Sequence, residues 1–115
     1  MNIFKNIVRI CALTLFLSSN AWSAVAQTGT GYVTYIENGW SGEGLAIHMT
    51  AAAAMTGCPA ASTEFGIDAT HPAYKILVAL MITAYTQQSP VQLVVNQGTC
   101  ILGQRTEIVS IRMVL

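Results

Sequence analysis

The placement of its cysteines constrains this chain more than any other feature. Three cysteines stand at positions 11, 58 and 100, and the first belongs to a segment that reads as a leader. Residues 1–26 open with the basic positions Lys5 and Arg9, continue through the apolar run Ile10-Cys11-Ala12-Leu13-Thr14-Leu15-Phe16-Leu17, and end on the small-residue motif Ala24-Val25-Ala26. That is the layout of a secretory signal peptide. The apolar run falls short of the roughly 20 residues that a membrane-spanning helix needs, so no membrane anchor is expected after cleavage. Cleavage is expected after Ala26, with Ser23 and Ala24 as neighbouring positions. Cys11, inside the apolar run with hardly any chain before it, does not read as a lipidation site.

Two cysteines then remain in a chain bound for an oxidising compartment, and only one intramolecular pairing is open to them. A Cys58–Cys100 disulfide is therefore expected, with two buried thiols as the alternative for a chain that stayed in the cytosol. Closing so long a loop removes chain entropy from the unfolded state worth about 4 kcal/mol, a large share of the stability of a small domain.

Residues 27–115 are expected to form one compact domain by length, in a chain that with its apolar leader included is 53% hydrophobic. Loss of Lys5 and Arg9 leaves Lys75, Arg105 and Arg112 against Glu37, Glu43, Glu64, Asp68 and Glu107, a mildly acidic balance. Three dispersed cations cannot neutralise a run of phosphates, so nucleic acid and anionic membrane surfaces are poor partners for it.

Along the chain, Tyr32-Val33-Thr34-Tyr35-Ile36 is β-branched and aromatic and predicts a strand, followed by turn chemistry at Asn38-Gly39 and Ser41-Gly42 around Trp40. Leu45, Ile47 and Met49 alternate with Ala46 and His48 in a second strand, and Phe65 and Ile67 mark a third at residues 64–68. Between them, helical and loop propensities conflict over the Ala-rich residues 50–62. Thr70-His71-Pro72 reads as a helix start, with Thr70 as cap and Pro72 in the first turn. The helix is expected over residues 71–87, and its apolar surface, including Tyr74, Ile76, Leu77, Val78, Leu80, Met81, Ile82 and Tyr85, is too wide for one small sheet to cover. A homo-oligomer packed through this helix, or a covering loop, would shield it.

Ser89-Pro90 ends the helix. Val91-Gln92-Leu93-Val94-Val95 is the fourth strand, Asn96-Gln97-Gly98 a turn, and the last strand runs from Thr106 to about Leu115. Alternation places Val109, Ile111 and Met113 on one face of it and Ile108, Ser110 and Arg112 on the other.

The expectation is thus a mainly β, α+β domain of order β-β-β-α-β-β, the order of a small five-stranded OB-fold barrel with its helix between the third and fourth strands. In such an exported domain, a helix ending in Ala84-Tyr85-Thr86-Gln87-Gln88-Ser89 and leading into Pro90-Val91-Gln92-Leu93-Val94-Val95 resembles the receptor-binding B subunits of bacterial AB5 toxins, closest to the subtilase-cytotoxin and pertussis-like branch. The resemblance covers about residues 71–95 together with the signal peptide and disulfide. The chain is shorter than those subunits and their sugar-contacting loops do not align, so no binding residue is carried over. What the resemblance implies is glycan or host-receptor binding by a ring-forming subunit that serves a secreted catalytic subunit. The alternative is a monomeric periplasmic protein-binding or inhibitor-type envelope protein.

Candidate ligand contacts are Trp40, whose ring in a polar, Gly-rich loop would stack on a sugar, and Glu43, whose carboxylate would accept hydroxyl hydrogen bonds. A Trp among glycines also serves to plug a small core. Alternation puts Tyr35 on the opposite strand face from Tyr32, Thr34 and Ile36, where it joins an aromatic surface near Trp40 or acts as an ordinary core or cross-strand residue.

His48 and His71 lack the acidic or thiolate company of a metal site, and no cofactor is expected. Asp68 and His71 make half of a catalytic arrangement, but no nucleophile context accompanies them. The module reads as non-catalytic, with a small hydrolase uniting Asp68, His71 and a hydroxyl as the minor alternative. Lys75 and Arg105 read as solvated charges. Arg112, if covered on the last strand, needs Glu107 or Glu64 as its partner.

Overall fold

The computed structural model describes residues 24–38 and 43–114; residues 1–23, which hold most of the expected leader, lie outside them. Six strands and one helix follow in the order β1 (Val25–Gln27), β2 (Val33–Glu37), β3 (Gly44–Met49), β4 (Glu64–Asp68), α1 (Tyr74–Gln87), β5 (Val91–Ile101) and β6 (Arg105–Met113). The described residues are mainly β with one helix, as their alternating apolar segments predict. The strand count is six where five were expected, because Val25 and Ala26, assigned to the leader, pair with Asn96 and Val95 as an extra edge strand.

The sheet has the order β1-β5-β6-β4-β3-β2, with β4 and β6 parallel and every other pair antiparallel. Its two edge strands are consecutive in sequence. Between them the chain changes partners: Gly31 exchanges backbone hydrogen bonds with Val91 at 2.9 and 2.8 Å, two residues before β2 begins to pair with β3. The glycine is required by close approach, since a Cβ there would lie 2.7 Å from Thr50 Oγ1 and 2.8 Å from the Ala51 nitrogen. Beside it, buried Thr28 takes the place of a ladder residue: its N–H donates to the Leu93 carbonyl at 2.9 Å and its Oγ1 accepts the Leu93 N–H at 3.0 Å.

Val33, Ile47, Met49, Phe65, Ile67, Val91, Leu93, Val95 and Ile108 fill the core together with Leu77, Met81 and Ala84 of the helix and Ala53 of the long loop. Full burial of each large side chain contributes about 1.5–3 kcal/mol. The inward set departs from strict alternation at two bulges. Val33 pairs with Met49 but Tyr35 with His48, which leaves Thr34 as the extra residue, and Val94 pairs with Ser110 but Val95 with Ile108, which leaves Val109 extra. A bulge places two residues opposite one and resets which face follows. Hence Ile108 and Ile111 both pack on the core, although alternation separates them.

The helix begins at Tyr74, not at residue 71. Its N-cap position is Ala73, which carries no capping side chain, and the expected cap Thr70 instead donates both its N–H and its hydroxyl to Asp68 Oδ1 at 2.9 Å. Leu77, Met81 and Ala84 turn inward at helical spacing, while Ile76, Ile82 and Tyr85 remain exposed. The helix ends on Gln88 in the left-handed conformation at φ 52°.

Asn96-Gln97-Gly98 is not a turn. It is an irregularity inside β5, with Gly98 at φ 80° donating its N–H to the Thr56 carbonyl; the chain reverses at residues 102–104, which returns Ile101 to Arg105. The disulfide joins Cys58 to Cys100 with Cα atoms 5.6 Å apart and ties the 50–63 loop to β5.

Candidate functional site

The polar chemistry of the protein gathers on the outer face of β2, β3 and β4. The Thr34 bulge creates its first element: Val33 and Ile36 stay on the core side, and Tyr35 turns outward against His48, its cross-strand partner. The two rings stack with centroids 5.3 Å apart and planes 10° from parallel. Thr34 also points outward, its hydroxyl in hydrogen-bond contact with His48 Nδ1. Tyr35 therefore shares a face with Thr34 and not with Val33, the reverse of what alternation predicts.

Glu64, the first residue of β4, accepts the Tyr35 hydroxyl on Oε1 at 2.6 Å and faces Arg105 Nε with Oε2 at 3.3 Å. Arg105 Nη2 reaches Glu37 at 2.9 Å, and Nη1 donates to the Leu102 carbonyl. A guanidinium between two carboxylates, reaching across β2, β4 and β6, fixes these strand ends relative to one another. The site depends on the β5–β6 hairpin lying over the sheet. Leu102 and Ile101 rest where a side chain on Gly66 would stand, with Leu102 Cδ1 and Ile101 Cγ1 each 3.2 Å from the position of its absent Cβ, so the small residue at Gly66 lets the hairpin close down. Parallel pairing of Phe65 with Thr106 and of Gly66 with Glu107 then brings Arg105 beside Glu64.

The Glu64 hydrogen bond, followed by burial, raises the Tyr35 phenol above its ordinary pKa of 10.0; Arg105 opposes the shift. The carboxylate stabilises the protonated phenol, so Tyr35 remains a hydroxyl donor across the physiological range. The resulting surface offers an aromatic ring that is 37% exposed, carboxylate acceptors, and an arginine whose own exposure is only 7%.

Of the three expected ligand contacts, the structure places Tyr35 in this cluster. Glu43 is exposed at the entrance to β3, and Trp40 lies outside the described residues, in the stretch that joins β2 to β3. Glu37, His48, Glu64 and Arg105 were missed as a group. Arg105 was expected to be a solvated charge and is instead the buried one, whereas Arg112 is exposed and donates to Gln92 Oε1 at 3.0 Å, with neither Glu107 nor Glu64 as its partner. The half-catalytic pair is separated by local bonding: Asp68 holds Thr70, and His71 Nδ1 accepts the Ala73 N–H at 3.0 Å. Among the described residues no group of three or more His, Cys, Asp and Glu side chains is arranged to hold a metal ion, and no helix is long and apolar enough to cross a membrane.

Comparison with protein-family models, with curated proteins and with solved structures finds no match to this chain.

Proposed function

We propose that this protein is an exported, non-catalytic binding module of OB type whose Tyr35 face recognises a glycan on a host or neighbouring cell surface. The observation that carries the reading is the bulge at Thr34, which turns Tyr35 out of the core to meet His48 and Glu64. Bulges recur beside functional sites because they re-aim one side chain without disturbing the rest of the ladder.

Strand order supports the OB assignment. If β1 and β2 are counted as one strand that changes partners at Gly31, the order is 1-2-3-5-4-1, with the helix between the third and fourth strands and a parallel pairing of the third and fifth. In that architecture, oligosaccharides and oligonucleotides bind on the second and third strands and on the loops after the first and fourth. In that numbering His48 and Glu64 lie on the second and third strands, with Tyr35 beside them on the first and Arg105 on the fifth, just after the loop at residues 102–104, and the mildly acidic balance of the mature chain favours the saccharide. The disulfide fits an oxidising compartment, in keeping with export.

The resemblance to toxin B subunits adds a ring assembly and a secreted catalytic partner to this proposal. Exposure of Ile76, Ile82 and Tyr85 along one helix favours a protein contact there, which also suits the monomeric periplasmic protein-binding reading. Light scattering on the oxidised protein separates the two: a stable oligomer supports the ring, and a monomer supports the periplasmic factor. For the site itself, a glycan array probed with the native protein and with Tyr35→Ala is decisive. Binding that disappears in the variant supports the proposal, and binding unaffected by the substitution moves the site elsewhere.

A further inference from the structure

Resting on that reading of the Tyr35 face, we infer that the site takes neutral, hydroxyl-rich sugar rings and discriminates against carboxylated ones. Charge on the face decides this. Two carboxylates, Glu37 and Glu64, surround one guanidinium, Arg105.

The cation is committed as well as outnumbered. Arg105 Nε faces Glu64, Nη2 faces Glu37, and Nη1 donates to the Leu102 carbonyl, while the side chain as a whole is 8% exposed. The Glu37 side chain, by contrast, is 41% exposed. A ligand arriving from solvent meets the carboxylate before the guanidinium. The other described cations belong to other parts of the fold, Lys75 to the helix and Arg112 to the far end of β6 beside Gln92.

A sugar carboxylate at this face would stand against Glu37 without a free cation to receive it, and like-charge juxtaposition is an effective means of rejecting a partner. A neutral pyranose meets complementary chemistry instead. Its hydroxyls donate to the carboxylate oxygens in charge-assisted hydrogen bonds, and its apolar face lies on the outward Tyr35 ring. Glu37 is therefore the residue that sets the charge preference, and Tyr35 the one that supplies contact area.

The test presents each hexose scaffold in three charge states, neutral, carboxylated at the terminal carbon, and amino-substituted, on one array, with titration calorimetry on the strongest scaffold. The neutral form is expected to bind at least about tenfold more tightly than its carboxylated counterpart, a difference of about 1.4 kcal/mol. Glu37→Gln, which leaves Arg105 paired with Glu64, should narrow that ratio several-fold, because it removes the repulsion of the carboxylated form and weakens the charge-assisted hydrogen bonds to the neutral one, and circular dichroism verifies that the variant is folded. Tighter binding of the carboxylated form would overturn the inference while leaving a glycan site in place, whereas binding of the amino form at or above the neutral level supports it, since the exposed Glu37 carboxylate attracts an ammonium group. Absence of binding to every scaffold would remove the glycan reading itself, and the charge preference with it.

Discussion

At the scale of single residues, two buried threonines make opposite predictions from the same chemistry. Thr28 Oγ1 is the acceptor for the buried Leu93 N–H, whereas Thr106 Oγ1 is buried with no hydrogen-bond partner among the described residues. Removing an acceptor from a buried donor costs about 1–3 kcal/mol, while removing an unpaired hydroxyl costs nothing and relieves its desolvation. Thr28→Val should therefore lower unfolding free energy by that amount in chemical denaturation, and Thr106→Val should leave it unchanged or raise it. A loss in Thr106→Val would contradict the assignment of Thr106, and an unchanged Thr28→Val that of Thr28. Tyr35 gives a pH prediction whose sign follows from its raised pKa. A proton held more tightly in the folded than in the unfolded protein contributes stability that is fully present below the unfolded value of 10.0 and is lost as pH rises through the folded value. Ultraviolet titration, with Tyr35→Phe subtracted to isolate this tyrosine, should show late ionisation, and Glu64→Gln should return it toward the ordinary value.

At the scale of elements, the helix terminus carries strain that one substitution relieves. Gln88 adopts φ 52°, where its N–H reaches the Ala84 carbonyl and its side chain donates to the Tyr85 carbonyl at 2.7 Å. Glycine adopts this conformation without steric penalty, so Gln88→Gly is expected to stabilise by about 0.5–1 kcal/mol, read as a higher midpoint of thermal unfolding. Elements were also the level at which sequence was most informative. Alternation in Leu45, Ile47 and Met49 and in Phe65 and Ile67 located β3 and β4 because the large apolar side chains there share one face and the pairing of the two strands has no irregularity. It failed at Tyr35 and at Ile108 for a shared reason: each follows or adjoins a bulge, and a bulge changes facing without changing composition. The ion-pair cluster was illegible for a different reason. Arg105 is separated from Glu37 by 68 positions and from Glu64 by 41, and only the parallel β4–β6 pairing, which local pattern does not encode, brings them together.

At the scale of the whole molecule, closure of the sheet depends on a short N-terminal segment. Val25 to Gln27 pair with β5, and the Gln97 N–H donates to the Ala24 carbonyl at 2.9 Å. A chain that begins at Gln27, the product of cleavage after Ala26, lacks most of this strand and leaves part of β5 as an open edge available to other chains. A chain that begins at Ala24, the product of cleavage after Ser23, keeps it. The backbone hydrogen bonds made by residues 24–26, each with a net contribution of about 0.5–1.5 kcal/mol, separate the two products, so the longer chain is expected to be more stable by about 1–4 kcal/mol in denaturant and slower to aggregate. Because the disulfide lies outside the affected segment, it remains in both chains and does not confuse the comparison. Equal stability would show that β1 contributes little to closure. A clear advantage for the longer chain, together with an intact mass of the exported protein that begins at Ala24, would place the leader boundary just before β1.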